Sequence, residues 1–229
     1  MSSSAHPLDR PVWSALTSRQ ADIALGGAHA RRFAHEASPL CASQNFSTAS
    51  QSALGELFAA DEEIYLLEVS PPSPSADLVE TFRAPCVQMT ARHINAPEVE
   101  VAAEPLGDED AAEMLALALL TKPGPFRIGT HKLGRFIGVR DNGQLIAMAG
   151  ERLRPAGFTE VSAVCTHPEY RGRGFGGALL AMTARRILEE GATPFLHAYK
   201  TNTTAIALYR KLGFEVRAEV DHAIWKRPV

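Results

Sequence analysis

The chain is poor in cysteine: three in 229 residues, Cys41, Cys86 and Cys165, with no C-x-x-C pair. A sparse, odd set excludes a disulfide framework and a cysteine zinc ribbon. It suits a reducing compartment, so a cytoplasmic location is expected. The eight histidines, at 6, 29, 35, 93, 131, 167, 197 and 222, never fall in an H-x-x-x-H or similar spacing, so no metal site is expected. Long apolar runs are also missing. The longest nearly uncharged one, residues 114–120, falls far short of the ~20 residues a membrane span needs. Residues 1–7 lack the basic and apolar regions of a secretory leader. A soluble protein with no membrane partner is expected. Nor is there an excess of positive charge: 23 Lys and Arg against 26 Asp and Glu leave a formal net charge of −3. A nucleic-acid partner, which would favour a basic face, is not expected.

What remains is an ordinary globular composition, 45% hydrophobic and 21% charged, long enough for one large domain or two small ones. Val12, Trp13, Leu16, Ile23 and Leu25 predict a short helix ending at Gly26-Gly27, and Leu54, Leu57 and Phe58 a second over 47–60. Residues 63–69 and 86–89 read as strands, with a proline-rich loop at 70–75 between them. Asn95-Ala96-Pro97 marks a boundary that divides the chain into 1–96 and 97–229.

The second part is more sharply patterned. A strand is predicted over 98–103, and a helix over 109–120 with Asp108 as its cap. Strands at 133–140 and 144–152 flank Asp141-Asn142-Gly143, read as a turn one residue longer than the tightest hairpin. A strand at 159–166 leads to a helix over 174–190 that stops at Gly191. Then come a strand at 195–199, a helix over 202–212 stopped by Gly213, and two closing strands, 214–220 and 222–226. This alternation predicts a mixed α/β (α+β) fold with layers around one sheet.

One turn carries chemistry. The strand ending at Thr166 runs into Arg171-Gly172-Arg173-Gly174-Phe175-Gly176-Gly177 and then a helix. Glycines let the backbone approach a ligand closely, and a helix N-terminus presents free N–H groups and partial positive charge. Arg171 and Arg173 add charge, so the turn can cradle a pyrophosphate. A nucleotide P-loop is excluded because no lysine follows the glycines. The G-x-G-x-x-G pattern is formally present, but Glu189 and Glu190 lie inside the same helix rather than beyond a second strand, unlike a dinucleotide site.

Arg171-Gly172-Arg173-Gly174-Phe175-Gly176 resembles the Gln/Arg-x-x-Gly-x-Gly/Ala motif of the GNAT superfamily of N-acetyltransferases. Asn202-Thr203-Thr204-Ala205-Ile206-Ala207-Leu208-Tyr209-Arg210-Lys211-Leu212-Gly213-Phe214 resembles that family's N-x-x-A-I-x-L-Y-x-K-x-G-F. The resemblance covers about residues 98–229. It implies the acyl-CoA N-acyltransferase fold, a mixed, mostly antiparallel central sheet flanked by helices. It implies acetyl-CoA as co-substrate and a small-molecule or peptide amine as acceptor. Strand 159–166 should splay from strand 195–199, with Val164, Cys165 and Thr166 lining the pantetheine arm. Residues 171–177 should hold the pyrophosphate, and Asn202 should reach the pantetheine or phosphate side. Tyr209 stands where the family carries its general acid. Glu160 stands where the histone-modifying branch carries its base, with Glu151 or a water chain as alternatives. The loop 121–127 would wall the acceptor site, offering Lys122, Phe126 and Arg127. Residues 1–96 resemble the degenerate half seen in the glycine N-acyltransferase-like branch. A CoA-binding sensor without catalysis is the competing function. The sequence leaves the oligomeric state open, a homodimer among the options.

Overall fold

The computed structural model describes residues 6–60 and 62–228. The first part of the chain supplies α1 (Pro11–Leu16), β1 (Leu25–Gly26), β2 (Ala30–Arg32), β3 (Cys41–Ser43), α2 (Thr48–Glu56), β4 (Glu63–Glu68) and β5 (Val79–Thr90). The second supplies β6 (Glu104–Leu106), α3 (Ala111–Thr121), β7 (Phe136–Asp141), β8 (Gln144–Glu151), β9 (Phe158–Thr166), α4 (Phe175–Glu189), β10 (Thr193–Tyr199), α5 (Thr203–Lys211) and β11 (Glu215–Lys226).

β1, β2 and β3 form a small antiparallel sheet. The other eight strands form one sheet in the order β4-β11-β5-β10-β9-β8-β7-β6. Every neighbouring pair is antiparallel except β9 and β10. That one parallel step needs a crossover, which α4 provides. The fold is the mixed, mostly antiparallel sheet with flanking helices that the sequence predicts.

The order has one feature no local pattern shows. β5, from the first part of the chain, lies between β11 and β10. The segments expected as strands at 63–69 and 86–89 therefore both join the sheet of the second part, and β5 is a twelve-residue strand rather than a short one. The two closing strands expected at 214–220 and 222–226 are one continuous β11 with a register shift between Val216 and Ala218. Its length follows from pairing with β5 along almost its whole course.

Other local readings shift as well. No strand spans 98–103; the edge strand is β6, which begins at the next residue, Glu104. Asp108 sits in a 3-10 turn ahead of α3, and the carboxylate of Asp110 accepts from the Gly107 amide instead. The β7–β8 hairpin closes on Asp141 opposite Gln144, so its loop is the tight two-residue form. Asn142 (φ 49°) and Gly143 (φ 83°) both take the positive φ that this turn demands.

α4 holds the sheet's face. Leu180, Ala181, Ala184 and Ile187, at helical spacing, pack against Val161, Leu196 and Phe214. Burying a leucine such as Leu180 stabilises the fold by roughly 1.5–3 kcal/mol. The helix ends where Gly191 turns left-handed at φ 78°.

Candidate active site

β9 and β10 pair in parallel only at Thr193–Phe158, Pro194–Thr159 and Phe195–Glu160. Beyond that pair each strand continues, β9 to Thr166 and β10 to Tyr199, without the other as a partner. The parting leaves a cleft whose walls are residues 161–164 on one side and 196–199 on the other. A bulge lies in its wall. Ala163 and Val164 together oppose Ala149, between the pairs Met148–Cys165 and Gly150–Ser162. Ala163 takes φ 53°, a left-handed value uncommon for a side-chain-bearing residue. Backbone polar groups facing such a cleft need a partner, and an extended ligand arm can supply one.

The cleft opens into a cavity of about 240 Å³. Glu160, Val164, Asn202 and Tyr209 line it. Tyr209 points its phenol in from α5, with no hydrogen bond among the described residues, and burial raises its pKa. The Asn202 side chain caps α5 by accepting from the Ala205 amide at 3.2 Å, so its oxygen is already engaged.

Glu160 is not a solvated strand end. It is 1% exposed, and it accepts from Arg152 Nε at 2.8 Å and Nη2 at 2.7 Å. His197 Nδ1 lies 2.7 Å from Oε1, and the Leu153 amide donates to Oε2 at 3.3 Å. Burial alone pushes this carboxyl up. The charge and hydrogen bonds of Arg152 and those of His197 outweigh it and hold the carboxyl at about 2. With both oxygens occupied, Glu160 is a weak proton acceptor. Glu151 pairs with Arg186 at 3.0 Å and is not among the residues lining the cavity.

The network continues away from the cleft. Gln88 Nε2 lies 3.0 Å from His197 Nε2 and also donates to the Leu8 carbonyl. Gln88 Oε1 accepts from Arg217 at 2.6 Å, and Arg217 in turn pairs with Asp9. The hydrogen-bond network of the cleft thus reaches Leu8, Asp9 and Gln88 in the first part of the chain.

At the far end of β9 a second cavity of about 250 Å³ is lined by Thr166, Arg171, Gly172, Gly174, Phe175, Gly176 and Gly177. Gly172 and Gly174 are left-handed, at φ 78° and 82°. A Cβ on Gly174 would come within 2.5 Å of Val99. α4 starts directly behind, with its first amides free of intrahelical partners. The donor set suits a diphosphate. Arg173, expected at this cradle, stacks on the Tyr170 ring, 4.8 Å from its centroid, and the side chain of Cys165, on the strand segment expected to line the pantetheine arm, lies in the core with Met148 and Met114. Burial pushes the Cys165 thiol up to about 11, so it is no nucleophile.

In the loop at 121–127, Lys122 and the Pro123-Gly124-Pro125 stretch do wall the cavity. Phe126 packs edge-on against Phe136 instead, and Arg127 donates to the His35 carbonyl. Arg152, His197, Tyr199 and His222 also line the cavity. No spacing in the sequence singles them out, because β8, β10 and β11 bring them together from distant positions. Among the described residues there is no cluster of metal-ligating side chains, and no helix is long and apolar enough to cross a membrane.

Known proteins share this arrangement. The FR47-like protein family matches residues 136–225. A mycothiol acetyltransferase from Corynebacterium aurimucosum is 38% identical over 71 residues, 31% of this chain and 23% of that protein. The N-alpha-acetyltransferase RimI of Mycobacterium tuberculosis is 36% identical over 85 residues, 35% of this chain and 51% of that protein. The chain thus spans 23% of one of these curated relatives and 51% of the other. A crystal structure of a GNAT-family protein from Novosphingobium aromaticivorans, assigned as an acetyltransferase, superposes with a TM-score of 0.88 at 38% identity. The match covers 98% of this chain and 100% of that one. On that full-length likeness, the chain belongs to the GNAT family.

Proposed function

We propose that the protein moves an acetyl group from acetyl-CoA to a primary amine by direct attack in a ternary complex. The observation that carries this is the parting of β9 and β10 after Glu160 and Phe195, which opens a cavity beside β9, the strand whose far end carries the glycine-lined anion cradle. The amides of residues 172–177, with Arg171, hold the diphosphate. The pantetheine arm lies along Val164, Cys165 and Thr166 as an extra strand, with Asn202 on its other side. The amide of Val164 at the bulge faces the thioester oxygen and stabilises the oxyanion as it forms.

Tyr209 then protonates the leaving thiolate. A phenol whose pKa is raised by burial stays protonated at neutral pH and suits a thiolate of similar basicity. Glu160 contributes negative charge that offsets Arg152 and orients His197. The amine's proton leaves through cavity water rather than directly to that saturated carboxylate. The names of the relatives, both acetyltransferases, support the reaction class. A location in the cytoplasm and assembly as a homodimer remain part of the proposal.

A second reading, a CoA sensor without turnover, is favoured by one observation: both oxygens of the family-position glutamate are locked. Thiol release over an amine library, beside calorimetry with CoA and acetyl-CoA, separates the two. Turnover of any amine supports the enzyme. Binding without turnover supports the sensor, and absence of binding overturns both.

A further inference from the structure

We propose that the acceptor half of the cavity is a carboxylate-binding site, so that the amine acceptor is a small amino-acid-like molecule. The inference rests on the acetyl-transfer reading above and names its substrate class.

The starting point is His222, on β11, whose neighbours across the sheet are Leu67 of β4 and Ala84 of β5. The residue is 8% exposed and lines the cavity. Its Nδ1 lies 2.9 Å from the Tyr199 hydroxyl. Its Nε2 is buried with no hydrogen-bond partner among the described residues. A buried polar nitrogen without a partner is costly and uncommon. The phenol is the better acid of the pair, so Tyr199 donates to Nδ1 and the imidazole hydrogen sits on Nε2. The orphan is therefore a donor awaiting an acceptor atom.

The surroundings say which kind. Arg152 also lines the cavity, and its charge acts on His222. Glu160 takes its Nε and Nη2, and the hydrogen bonds of Arg152 among the described residues leave Nη1 free. Lys122 stands at the wall without an ion pair among the described residues. Glu160 is the only carboxylate among the lining residues, and its two oxygens are filled. The cavity therefore carries two cations against one saturated anion. It offers no free carboxylate to hold an ammonium group, and it does offer donors for an anion. Other titratable groups near His222 are Cys86, whose thiol approaches the His222 backbone and is pushed up by burial, His197, whose ring nitrogens are engaged by Glu160 and Gln88, and Tyr65, whose ring centroid is 5.3 Å away and whose hydroxyl is engaged by Glu63. None supplies an acceptor for Nε2. A planar carboxylate would satisfy both the guanidinium and the imidazole. The cavity, about 240 Å³ for both the acyl thioester and the acceptor, has room for an amino-acid-sized molecule.

The test is calorimetry on the full chain saturated with CoA, which needs no turnover. The probes are a panel of free amino acids, their carboxamides and their decarboxylated amines. At least one amino acid should bind about tenfold to a hundredfold more tightly than its carboxamide and its decarboxylated amine, the range expected for one or two charge-assisted hydrogen bonds. His222→Phe should collapse that ratio toward one while the calorimetric affinity for CoA persists. A packing role alone would weaken all three probe classes alike. Should His222→Phe fail to fold, Tyr199→Phe, which frees the imidazole to move its hydrogen to Nδ1, should reduce the same ratio. Equal or tighter binding of the uncharged-tail amines overturns the carboxylate site. CoA binding and amino-acid preference without thiol release would leave the carboxylate site standing and overturn the transferase reading alone.

Discussion

Phe195 and Glu160 are the last partners in the parallel ladder of β10 and β9, and the cleft begins at the next residue of each strand. Phe195 is fully buried, and Glu160 is locked by Arg152 from the end of β8 and by His197 two residues along β10. One ion-paired residue thus stands at the vertex where backbone pairing gives way to ligand space.

Removing the charge at that vertex should be severe. Glu160→Gln leaves Arg152, itself 7% exposed, without its counter-ion. Breaking a buried pair by neutralising one partner costs about 3–5 kcal/mol. Denaturant unfolding should show a loss of that order. A loss under about 1 kcal/mol would mean that the pair does not hold the vertex.

Acid should weaken the fold in two stages of the same sign. Burial, with the like charges of Arg152 and His197, lowers the His222 pKa from 6.5 to about 4. The unfolded chain then takes up this proton first. The stability present above pH 6.5 is lost as pH falls toward 4, with a limiting slope of about 1.4 kcal/mol per pH unit. Glu160, lowered from 4.5 to about 2, extends the loss through that lower window. Thermal melts against pH should show both stages, and His222→Phe should erase only the upper one.

Tyr209→Phe should cut kcat by about a hundredfold or more, the usual contribution of a positioned general acid, with the affinity for CoA kept. Because burial raises the phenol's pKa above 10, the wild-type rate should show no decline attributable to it below about pH 10. Unchanged kcat in the variant would remove Tyr209 from the chemistry.

The glycines of the cradle should separate fold from binding. Gly174→Ala forces a left-handed alanine against Val99 and should destabilise by at least the ~1–2 kcal/mol of left-handed strain. Gly176 lies inside α4 without a positive φ, and its Cβ would make ordinary contact with Thr166 and Val164. Gly176→Ala should leave the melting temperature unchanged or higher, since alanine is the better helix former by about 1 kcal/mol. The same change should weaken CoA binding, because the added methyl stands at the cradle wall. Unaltered CoA affinity would place the diphosphate elsewhere.

Residues 97–229 expressed alone should not fold cooperatively. Without β5, both β10 and β11 lose the strand between them, and β4 goes too. The exposed edges would invite aggregation. A sharp thermal transition from this fragment, seen by circular dichroism, would show that the second part folds without the first.

The glycine turn, α4, α5 and the β7–β8 hairpin were readable because each is local. Left-handed glycines and a 3.6-residue apolar period are encoded by neighbours in the chain, and so is the hairpin, although its turn reads one residue longer than the two-residue loop it forms. The glycine turn at 172–177 is legible for the same reason, while the roles expected of it and of Tyr209 follow from the resemblance to the GNAT family. The setting of Glu160 is not local. Its position on a strand is legible, but its partners come from β8 and β10, and only burial turns a carboxylate into a saturated anion. The long β5 was read as four residues because its first half is exposed and polar, with strand character conferred by β11 alongside.

The sequence by itself determined the helices α4 and α5 and the glycine-rich turn between β9 and α4, since those follow from backbone dihedrals and periodicity within a dozen residues. Only the tertiary structure decided that a strand from the first part lies between β11 and β10. It alone brings Arg152, His197, Tyr199 and His222 to one cavity. Sheet order and side-chain charge pairing are long-range, and no short window of sequence contains both partners.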